Sequence, residues 1–425
     1  QSSTNSKKYI EYELYILLTS SLYTVIPIHA YMKQIYALMM MLMMASVAFT
    51  GCVSDDSDDA TDTTTDTTDN TGDGTGDGTG DGTGDGTVDP VGADTQSTLD
   101  VIHERGKLKC GIKTSQYGMG YLDSDTGEYS GLDVEYCRAI AAAIGLDPAN
   151  DIEFIVASAG DRFQKLEDKE IDVLIRTTTW TTSRDAELNA DFAGINFYDG
   201  QGILVNTGAF PGADSIMDIG GATVCTTTGT TTEGNLADYF TTNNLEYTVV
   251  GVANDAAAKI KFVNEECTAW TGDMSNMVAQ QYGVNQDGNA SFSMAIMPEL
   301  LSKEPLGAAT RDNDDDWNDV VQWVWFGMLT AEEMEVTSAN YGTQNLSNPS
   351  YNRLLNSTLG LGTEANPLPA TWMQNVLMHV GNYYEAYDRA FCDGTGAMAN
   401  CLVDRAGTMN APYWEGGLQY APPMR

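Results

Sequence analysis

The sequence predicts an α/β protein of two lobes, and three observations support this expectation. Short apolar strands alternate with amphipathic helices from residue 99 onward. The alternation starts again after the glycine-rich segment 199–202, and segment 302–307 then returns the chain to the first series. Since alternating strands and helices form parallel, doubly wound sheets, we expect two such sheets joined by two crossings of the chain. Ligands of such folds bind at the carboxyl ends of the strands, here in the cleft between the lobes.

The first lobe begins with a regular order of elements. Residues 131–144 carry apolar side chains at helical spacing and stop at Gly145, which is typical of a helix and its C-cap. The remaining predicted elements are strands at 108–112, 152–156 and 171–175, short helices at 99–106 and 161–168, and a glycine- and tyrosine-rich loop at 113–129.

The second lobe repeats this order. Strands are predicted at 203–206, 222–225, 247–252, 267–270 and 293–297, and helices at 235–241 and 256–263. After the return crossing, residues 316–334 predict a long amphipathic helix whose apolar stripe faces the core. In the C-terminal region, 368–380 predicts a helix that 383–391 continues.

Composition divides the chain further. Residues 53–97 are almost only Asp, Thr, Gly and Ser, with four TGDG units and no Lys, Arg or aromatic residue. Such a segment cannot bury enough apolar surface to order itself, so we expect a disordered tether. Calcium binding is the alternative, but a period of four lacks the apolar residue that a β-roll buries. The expected organisation is a non-native leader upstream of Met32 (1–31), a lipoprotein signal peptide (32–52), the tether (53–97), lobe 1 (98–201), lobe 2 (202–302), a return to lobe 1 (303–345) and a C-terminal extension packed on the lobes (346–425).

An export signal is predicted ahead of the tether. Lys33 precedes an apolar run over 35–48, which is too short to span a membrane comfortably and suits a signal peptide. Small residues then lead to Cys52, as in the lipobox of lipoproteins, although Phe49 stands where leucine is usual. We therefore expect lipidation at Cys52 and an exported protein, periplasmic or at the cell surface, that is anchored to the membrane by lipid.

Six cysteines remain after Cys52, and an even number in an exported protein suggests disulfides. Six cysteines allow 15 pairings, among which sequence alone does not choose. Proximity along the chain favours Cys110–Cys137, Cys225–Cys267 and Cys392–Cys401. A zinc site is the competing interpretation, but no CxxC occurs and the three histidines are scattered, so we expect no metal.

The net charge of −39 limits the possible partners. The tether holds 13 of the acidic residues, but the rest of the chain is acidic as well. Nucleic acid is excluded as a partner because binding phosphates requires the opposite sign. The charge suits either a salt-rich medium, which screens self-repulsion, or an ordinary acidic secreted protein.

The run 176–185, Arg-Thr-Thr-Thr-Trp-Thr-Thr-Ser-Arg-Asp, follows the predicted strand 171–175 directly. Arginine presents a planar fork of donors that matches two carboxylate oxygens, and hydroxyls and backbone amides can satisfy the remaining lone pairs. A strand that ends in these residues therefore predicts a binding site for a small carboxylate-bearing molecule.

Several longer motifs resemble one known family. They are 131–137 (GLDVEYC), 178–185 (TTWTTSRD), 191–202 (DFAGINFYDGQG), 302–307 (SKEPLG) and 416–423 (GGLQYAPP). Together they resemble the general L-amino-acid-binding proteins of ABC transporters, in the polar amino-acid branch of type II periplasmic solute-binding proteins. The resemblance spans about residues 97–425. It implies a two-lobed, hinged fold with a C-terminal helical extension, and a monomeric receptor without a cofactor that captures L-amino acids and delivers them to an ABC permease.

The resemblance also implies roles for individual residues. Arg184 would hold the ligand α-carboxylate, with help from Thr179 and the backbone around Thr177, and Asp273 would take the α-ammonium. Thr231 and Thr232 would offer helix N-terminal amides to the carboxylate. The side-chain pocket would draw on Tyr117, Gln116, Asp161, Arg162 and Arg176.

Other interpretations of these residues remain open. Arg184 could be a surface residue paired with Asp185, and Asp273 could simply cap a helix. An enzyme of the same fold, acting as a dehydratase on small carboxylic acids, would need a general acid such as Asp161 or Glu233. We expect no enzyme, because the predicted cleft has no histidine, nucleophile–base pair or metal constellation. A sensor domain that signals without transport is a third possibility.

Overall fold

A computed structural model describes residues 96–425. The leader, signal peptide, Cys52 and nearly all of the tether predicted above lie outside this described part. Within it, no helix is both long enough and apolar enough to span a membrane.

The described chain forms one long mixed sheet with helices packed on it. The strands are β1 (Leu108–Ile112), β2 (Ser115–Gln116), β3 (Gly120–Leu122), β4 (Tyr129–Ser130), β5 (Ile152–Val156), β6 (Val173–Leu174), β7 (Ala190–Asn206), β8 (Ala222–Thr227), β9 (Tyr247–Val252), β10 (Ala269–Asp273), β11 (Met294–Ile296) and β12 (Lys303–Arg311). The order in the main sheet is β5-β1-β6-β12-β7-β10-β8-β9, with β11 on β7. The first half belongs to lobe 1 and the second half, from β10 onward, to lobe 2.

Eleven α-helices accompany these strands within residues 96–425. They are α1 (Thr98–Arg105), α2 (Leu132–Ala143), α3 (Arg162–Glu167), α4 (Thr182–Glu187), α5 (Thr231–Thr242), α6 (Asp255–Val263), α7 (Met274–Asp287), α8 (Asp315–Glu333), α9 (Pro349–Leu355), α10 (Trp372–His379) and α11 (Tyr383–Phe391). Short 3-10 turns lie at Ile216–Asp218, Tyr341–Thr343 and Tyr413–Glu415.

The two halves of the sheet are joined by β7, a continuous strand of 17 residues. Its first part pairs antiparallel with β12, and its last part pairs antiparallel with β10 and β11. The return crossing lies beside it, since Glu304 at the start of β12 pairs with Asp199 of β7. The chain therefore changes lobe twice at one place, as the sequence predicts.

The expectation of two purely parallel sheets is wrong in one respect. The outer strands β5, β1 and β6 are parallel, as are β9, β8 and β10. In contrast, β7 leaves lobe 1 while β12 re-enters it, so the two run in opposite directions and pair antiparallel. The glycine-rich segment 199–202, after which the alternation was predicted to start again, is part of the β7 ladder.

Each half of the sheet has an apolar core on both faces, because successive side chains of a strand point to opposite sides. In β1, Cys110 and Ile112 face the larger core of lobe 1, which includes Trp325 and Trp372. In β7 and β10 the residues alternate in the same way, with Val205 in one core of lobe 2 and Trp270 in the other. The sheet is therefore doubly wound.

Several local expectations need correction. The loop predicted at 113–129 contains the small antiparallel sheet β2-β3-β4. The helix predicted to continue from 368 to 391 is two helices, because Gly381 adopts a positive φ of 84° and Asn382 with Glu385 forms a capping box that starts α11. Helix α9 has no counterpart among the predicted elements.

Residues 346–425 pack mainly on lobe 1. Helices α10 and α11 contact α2 and α8. The ring of Phe391 stacks on Phe197 of β7, with centroids 5.5 Å apart. Further on, the side chain of Asn410 donates to Tyr198 O at 2.9 Å and accepts from Tyr198 N at 2.8 Å. The C-terminal region is thus bonded to β7 next to the crossing.

The structure joins Cys110 to Cys137, Cys225 to Cys267 and Cys392 to Cys401, the three pairs that proximity along the chain favours. The first ties β1 to α2, and the second ties β8 to the segment that enters β10. Both therefore lie beside strands whose carboxyl ends reach the cleft.

We expect Trp372→Ala to lower the free energy of unfolding by about 3–5 kcal/mol, because its fully buried side chain fills the core between α10 and its neighbours. The control is Trp414→Ala in the same C-terminal region. Because Trp414 is 47% exposed, this change should lower the free energy of unfolding by less than about 1 kcal/mol. Denaturant unfolding measures both. Equal losses would contradict this packing.

Candidate ligand-binding site

A polar cleft opens where the carboxyl ends of the strands of both lobes meet. Lobe 1 contributes residues that follow β1 and β6, together with the start of α3 and α4. Lobe 2 contributes residues at the ends of β8, β9 and β10. The lining residues are Lys113, Ser115, Arg162, Arg176, Thr177, Thr179, Arg184, Thr227, Thr230, Thr231, Thr232, Asn254, Asp255, Thr271, Gly272, Asp273 and Asn276. The position between the lobes is the one that the sequence predicts.

Arg184 lies in the cleft wall and is 8% exposed. Helix α4 places it there, because its N-cap residue Thr181 accepts a hydrogen bond from Arg184 N. The guanidinium Nη1 donates to Thr179 O at 2.8 Å and forms no ion pair with a carboxylate among the described residues. It is therefore not the surface partner of Asp185 that the alternative interpretation requires, and it keeps donors for an anion.

Arg162 and Arg176 lie in the same wall. Arg162 is 2% exposed, and the Nε atoms of both residues are buried without a hydrogen-bond partner. Burial lowers the pKa of both guanidinium groups, and in Arg162 the neighbouring charges of Arg176 and Arg184 lower it further. Three arginines thus concentrate positive charge on the lobe 1 side of the cleft.

The loop after β6 is held in an unusual conformation. Thr177 has a φ of 39°, which β-branched residues rarely adopt. The carboxylate of Asp133, at the start of α2, accepts from Thr177 N at 2.9 Å and from Asn196 Nδ2 at 3.4 Å. Burial raises the pKa of Asp133 to about 6. Since strained backbone persists where its surroundings hold it, Asp133 fixes the loop that presents Arg176 and Thr179.

The lobe 2 wall is built around the first turn of α5. Helix α5 begins at Thr231, so the backbone N–H groups of Thr231 and Thr232 lie at its positive end. The pattern alone predicted this helix at 235–241, four residues too late, whereas the family resemblance put Thr231 and Thr232 at its start, where the helix begins. Thr232 O accepts from Gln201 Nε2 at 2.9 Å, which connects this turn to β7.

Glu304 joins the two lobes at the crossing and is 1% exposed. Its Oε2 accepts from the hydroxyls of Thr179, at 2.6 Å, and Thr231, at 2.8 Å. Its Oε1 accepts from Asn235 Nδ2 at 2.7 Å and from Ser302 Oγ at 2.6 Å. Because the protons of both threonine hydroxyls point to Glu304, these oxygens present lone pairs to the cleft.

Asp273 lies at the end of β10 and opposite the arginines. It occupies the N-cap position of α7, but its side chain makes no capping hydrogen bond, so capping alone does not explain it. Burial raises the pKa of Asp273 to about 8, and the nearby charges of Asp199 and Glu304 add to the effect. The charges of Lys113 and Arg176 oppose this shift, but neither forms an ion pair with Asp273 within residues 96–425, so the carboxyl favours a cation as its partner.

Direct contacts connect the lobes across the cleft. Lys113 Nζ forms an ion pair with Asp255 Oδ2 at 2.7 Å. Burial opposes the charged form of Asp255, but the attraction of Lys113 and Arg176 lowers its pKa overall. Ser115 O also accepts from Gln280 Nε2 at 3.0 Å. The structure therefore represents the lobes closed on each other.

Most of the residues expected in the site do line the cleft: Arg184, Thr179, Thr177, Asp273, Thr231, Thr232, Arg162 and Arg176. Three others lie outside the lining. Gln116 is buried and donates to Ser275 Oγ at 2.9 Å, and Tyr117 packs on Tyr121 and Tyr282. Asp161 accepts from Ser158 instead of facing the cleft.

The sequence interpretation missed Lys113, Asp255 and Glu304. Lys113 follows β1 directly, and Asp255 comes shortly after β9, so the rule that sites form at strand ends could have found both. Glu304 lies in a segment that was interpreted only as the return of the chain. Among residues 96–425, no group of three or more His, Cys, Asp or Glu is arranged to hold a metal ion.

Comparisons with known proteins agree with this geometry. The family model for bacterial extracellular solute-binding proteins, family 3, matches residues 108–344. The chain is 38% identical over 336 residues to the glutamate/glutamine/aspartate/asparagine-binding protein BztA of Rhodobacter capsulatus, which covers 79% of this chain and 95% of that protein. It is also 38% identical over 341 residues to the general L-amino acid-binding periplasmic protein AapJ of Rhizobium johnstonii, with 79% and 95% covered.

A solved structure is similar as well. It is an ABC transporter periplasmic binding protein from Brucella ovis with glutathione bound, 38% identical, with a TM-score of 0.69 over 78% of this chain and 100% of that one. This similarity and the strand order identify the fold as that of type II periplasmic binding proteins. The chain therefore belongs to the bacterial extracellular solute-binding proteins of family 3, a family of binding proteins and not of enzymes.

Proposed function

We propose that this protein captures an L-amino acid in the cleft between its lobes and delivers it to the permease of an ABC transporter. One observation carries the proposal: Arg184, nearly buried and without a carboxylate partner, shares the cleft with Asp273, a half-buried carboxyl that forms no ion pair within the described residues. An α-amino acid carries the two complementary charges on one carbon atom. Two relatives are named as amino-acid-binding proteins, which supports the same ligand class.

The proposed orientation places the α-carboxylate on Arg184 and near the first turn of α5, whose positive end favours an anion. The α-ammonium then lies against Asp273. The hydroxyls of Thr179 and Thr231 accept from this ammonium, because their own protons go to Glu304. One ligand thus contacts both lobes and stabilises the closed form by differential binding.

Delivery requires that the protein stay near its membrane partner. We propose that Cys52 carries a lipid anchor and that residues 53–97 act as a tether. A single copy of the protein could then bring its two lobes, 98–201 with 303–345 and 202–302, to the permease. The sequence around Cys52 and the composition of the tether support this. Loss of the protein from the membrane fraction in Cys52→Ser, with unchanged ligand affinity, tests the anchor. Retention of that variant at the membrane would contradict it.

Two alternatives are weaker. The general acids that a dehydratase would need, Asp161 and Glu233, do not line the cleft, and Glu233 accepts from Gly229 N. A sensor would bind the same ligands but would not move them. Deletion of the gene separates the two remaining functions, because amino-acid uptake is lost only if the protein serves a transporter.

Arg184→Ala should weaken amino-acid binding by about 2–5 kcal/mol, because the buried α-carboxylate loses its paired charge. Titration calorimetry measures the change. The matched control is Arg138→Ala on α2, which removes a half-buried arginine that pairs with Glu135 at 2.8 Å away from the cleft. If Arg184→Ala binds amino acids as well as the control does, the carboxylate is not held there.

Amino-acid affinity should rise as the pH increases from 6 to 8. Without ligand, Asp273 is mainly protonated below its pKa of about 8, and an ammonium selects the ionised form, so binding releases a proton. The expected slope approaches about tenfold per pH unit well below that pKa.

The control for this pH dependence is Asp273→Asn, which should bind more weakly and lose the slope. The variant should spare ligands that have a carboxylate but no amino group. A wild-type affinity that is constant over this range, or that falls with pH, would contradict the role of Asp273.

A further inference from the structure

Two guanidinium groups in the cleft have no ligand group assigned to them. The α-carboxylate occupies Arg184 in the proposed orientation, and Lys113 is neutralised by Asp255. Arg162 and Arg176 then remain, and neither forms a side-chain hydrogen bond or an ion pair within residues 96–425. Arg162 is buried, Arg176 is half-buried, and the Nε atoms of both lack a partner, which is costly because a buried charge is ordinarily paired.

The acidic groups around these arginines do not supply the missing partner. Asp133 is occupied by Thr177 N and Asn196 Nδ2. Asp255 is paired with Lys113, and Asp161 is half-exposed and bonded to Ser158. None of the three reaches either guanidinium within hydrogen-bonding distance. The charge of Asp273 also acts on both arginines, but Asp273 forms no ion pair with either within residues 96–425 and is assigned to the ligand ammonium.

The position of the two residues fits a side-chain pocket. Arg162 is the first residue of α3, and Arg176 lies two residues after the end of β6, so they come from separate elements of lobe 1 and both line the cleft. The side of Arg162 is also closed by Phe163, whose ring lies 5.3 Å from the Arg162 guanidinium and 5.8 Å from that of Arg184.

We propose that Arg162 and Arg176 form a subsite for a second carboxylate, so that the preferred ligands are acidic L-amino acids. The inference rests on the proposed function, because it assumes that Arg184 and Asp273 hold the α-carbon groups. A planar guanidinium pairs with carboxylate oxygens through parallel hydrogen bonds, which an amide can only partly replace. The second carboxylate neutralises charge that a neutral side chain leaves uncompensated.

Two kinds of ligand could supply the second carboxylate. The second carboxylate can belong to the side chain of L-glutamate or L-aspartate, or to the far end of a longer γ-glutamyl compound such as glutathione. The short and the long ligands place this group at different distances from the α-carbon. Comparing them shows which length the subsite accepts.

Titration calorimetry on the full protein compares L-glutamate with L-glutamine, two ligands of almost equal shape, and then L-aspartate and reduced glutathione. Wild-type protein should bind at least one of the doubly acidic ligands about tenfold or more tightly than L-glutamine. Arg162→Gln and Arg176→Gln should each weaken that ligand by on the order of 30-fold or more, and L-glutamine by much less.

The matched control is Lys165→Gln, because Lys165 lies on the same helix α3, carries the same charge and pairs with Glu170 at the surface. It should leave both affinities unchanged. Retained L-glutamine binding shows that an arginine variant is folded. If neither variant folds, the affinities of acidic ligands and of L-glutamine can still be compared on wild-type protein and on Arg162→Lys. This comparison still tests the subsite, because the lysine keeps the positive charge.

The outcomes are distinguishable. If amino acids bind but L-glutamine equals or exceeds every acidic ligand, the second-carboxylate subsite is wrong and the receptor function stands. Equal losses for L-glutamate and L-glutamine in both glutamine variants also overturn it. If no amino acid binds wild-type protein, the proposed function itself fails.

Discussion

The binding site depends on positive charge that is largely removed from water and forms no ion pair within the described residues. Arg162, Arg176 and Arg184 lie in its lobe 1 wall, and none pairs with a carboxylate in the described part of the chain. Burial disfavours such charges strongly, so a protein retains them where a ligand supplies the opposite charge. Asp273, a carboxyl whose pKa burial raises, favours a ligand group of positive charge for the same reason. These charges therefore favour a charged ligand over a neutral one.

The crossing strands place these charges opposite each other. β7 passes from one lobe to the other without interruption, and β12 begins beside it at Glu304. The Glu304 carboxylate accepts from Thr179 of lobe 1 and Thr231 of lobe 2, so the bonding at the crossing orients hydroxyls in both walls. The contact of Asn410 with Tyr198 supports β7 from outside. The residues that connect the two lobes at the crossing thus also orient the hydroxyl groups of the binding site.

Sequence predicts the parts of this arrangement that depend on local pattern. The hydroxyl- and arginine-rich run after a predicted strand indicated a carboxylate site near Arg184, whereas the role of Asp273 came from the family resemblance. Glu304 was missed because a buried carboxylate bonded by hydroxyls from both lobes depends on contacts far apart in sequence. The small sheet within 113–129 was missed because its strands are two or three residues long. The continuity of β7 was missed because its glycines resemble a break, although partners on both sides complete the ladder.

A crystal structure of the protein grown with an L-amino acid would show whether Arg184 and Asp273 hold the ligand. We expect one ligand in the cleft, with its α-carboxylate oxygens within hydrogen-bonding distance of the Arg184 guanidinium and its ammonium within that distance of Asp273. A ligand bound elsewhere, with both of these groups still unpaired, would contradict it.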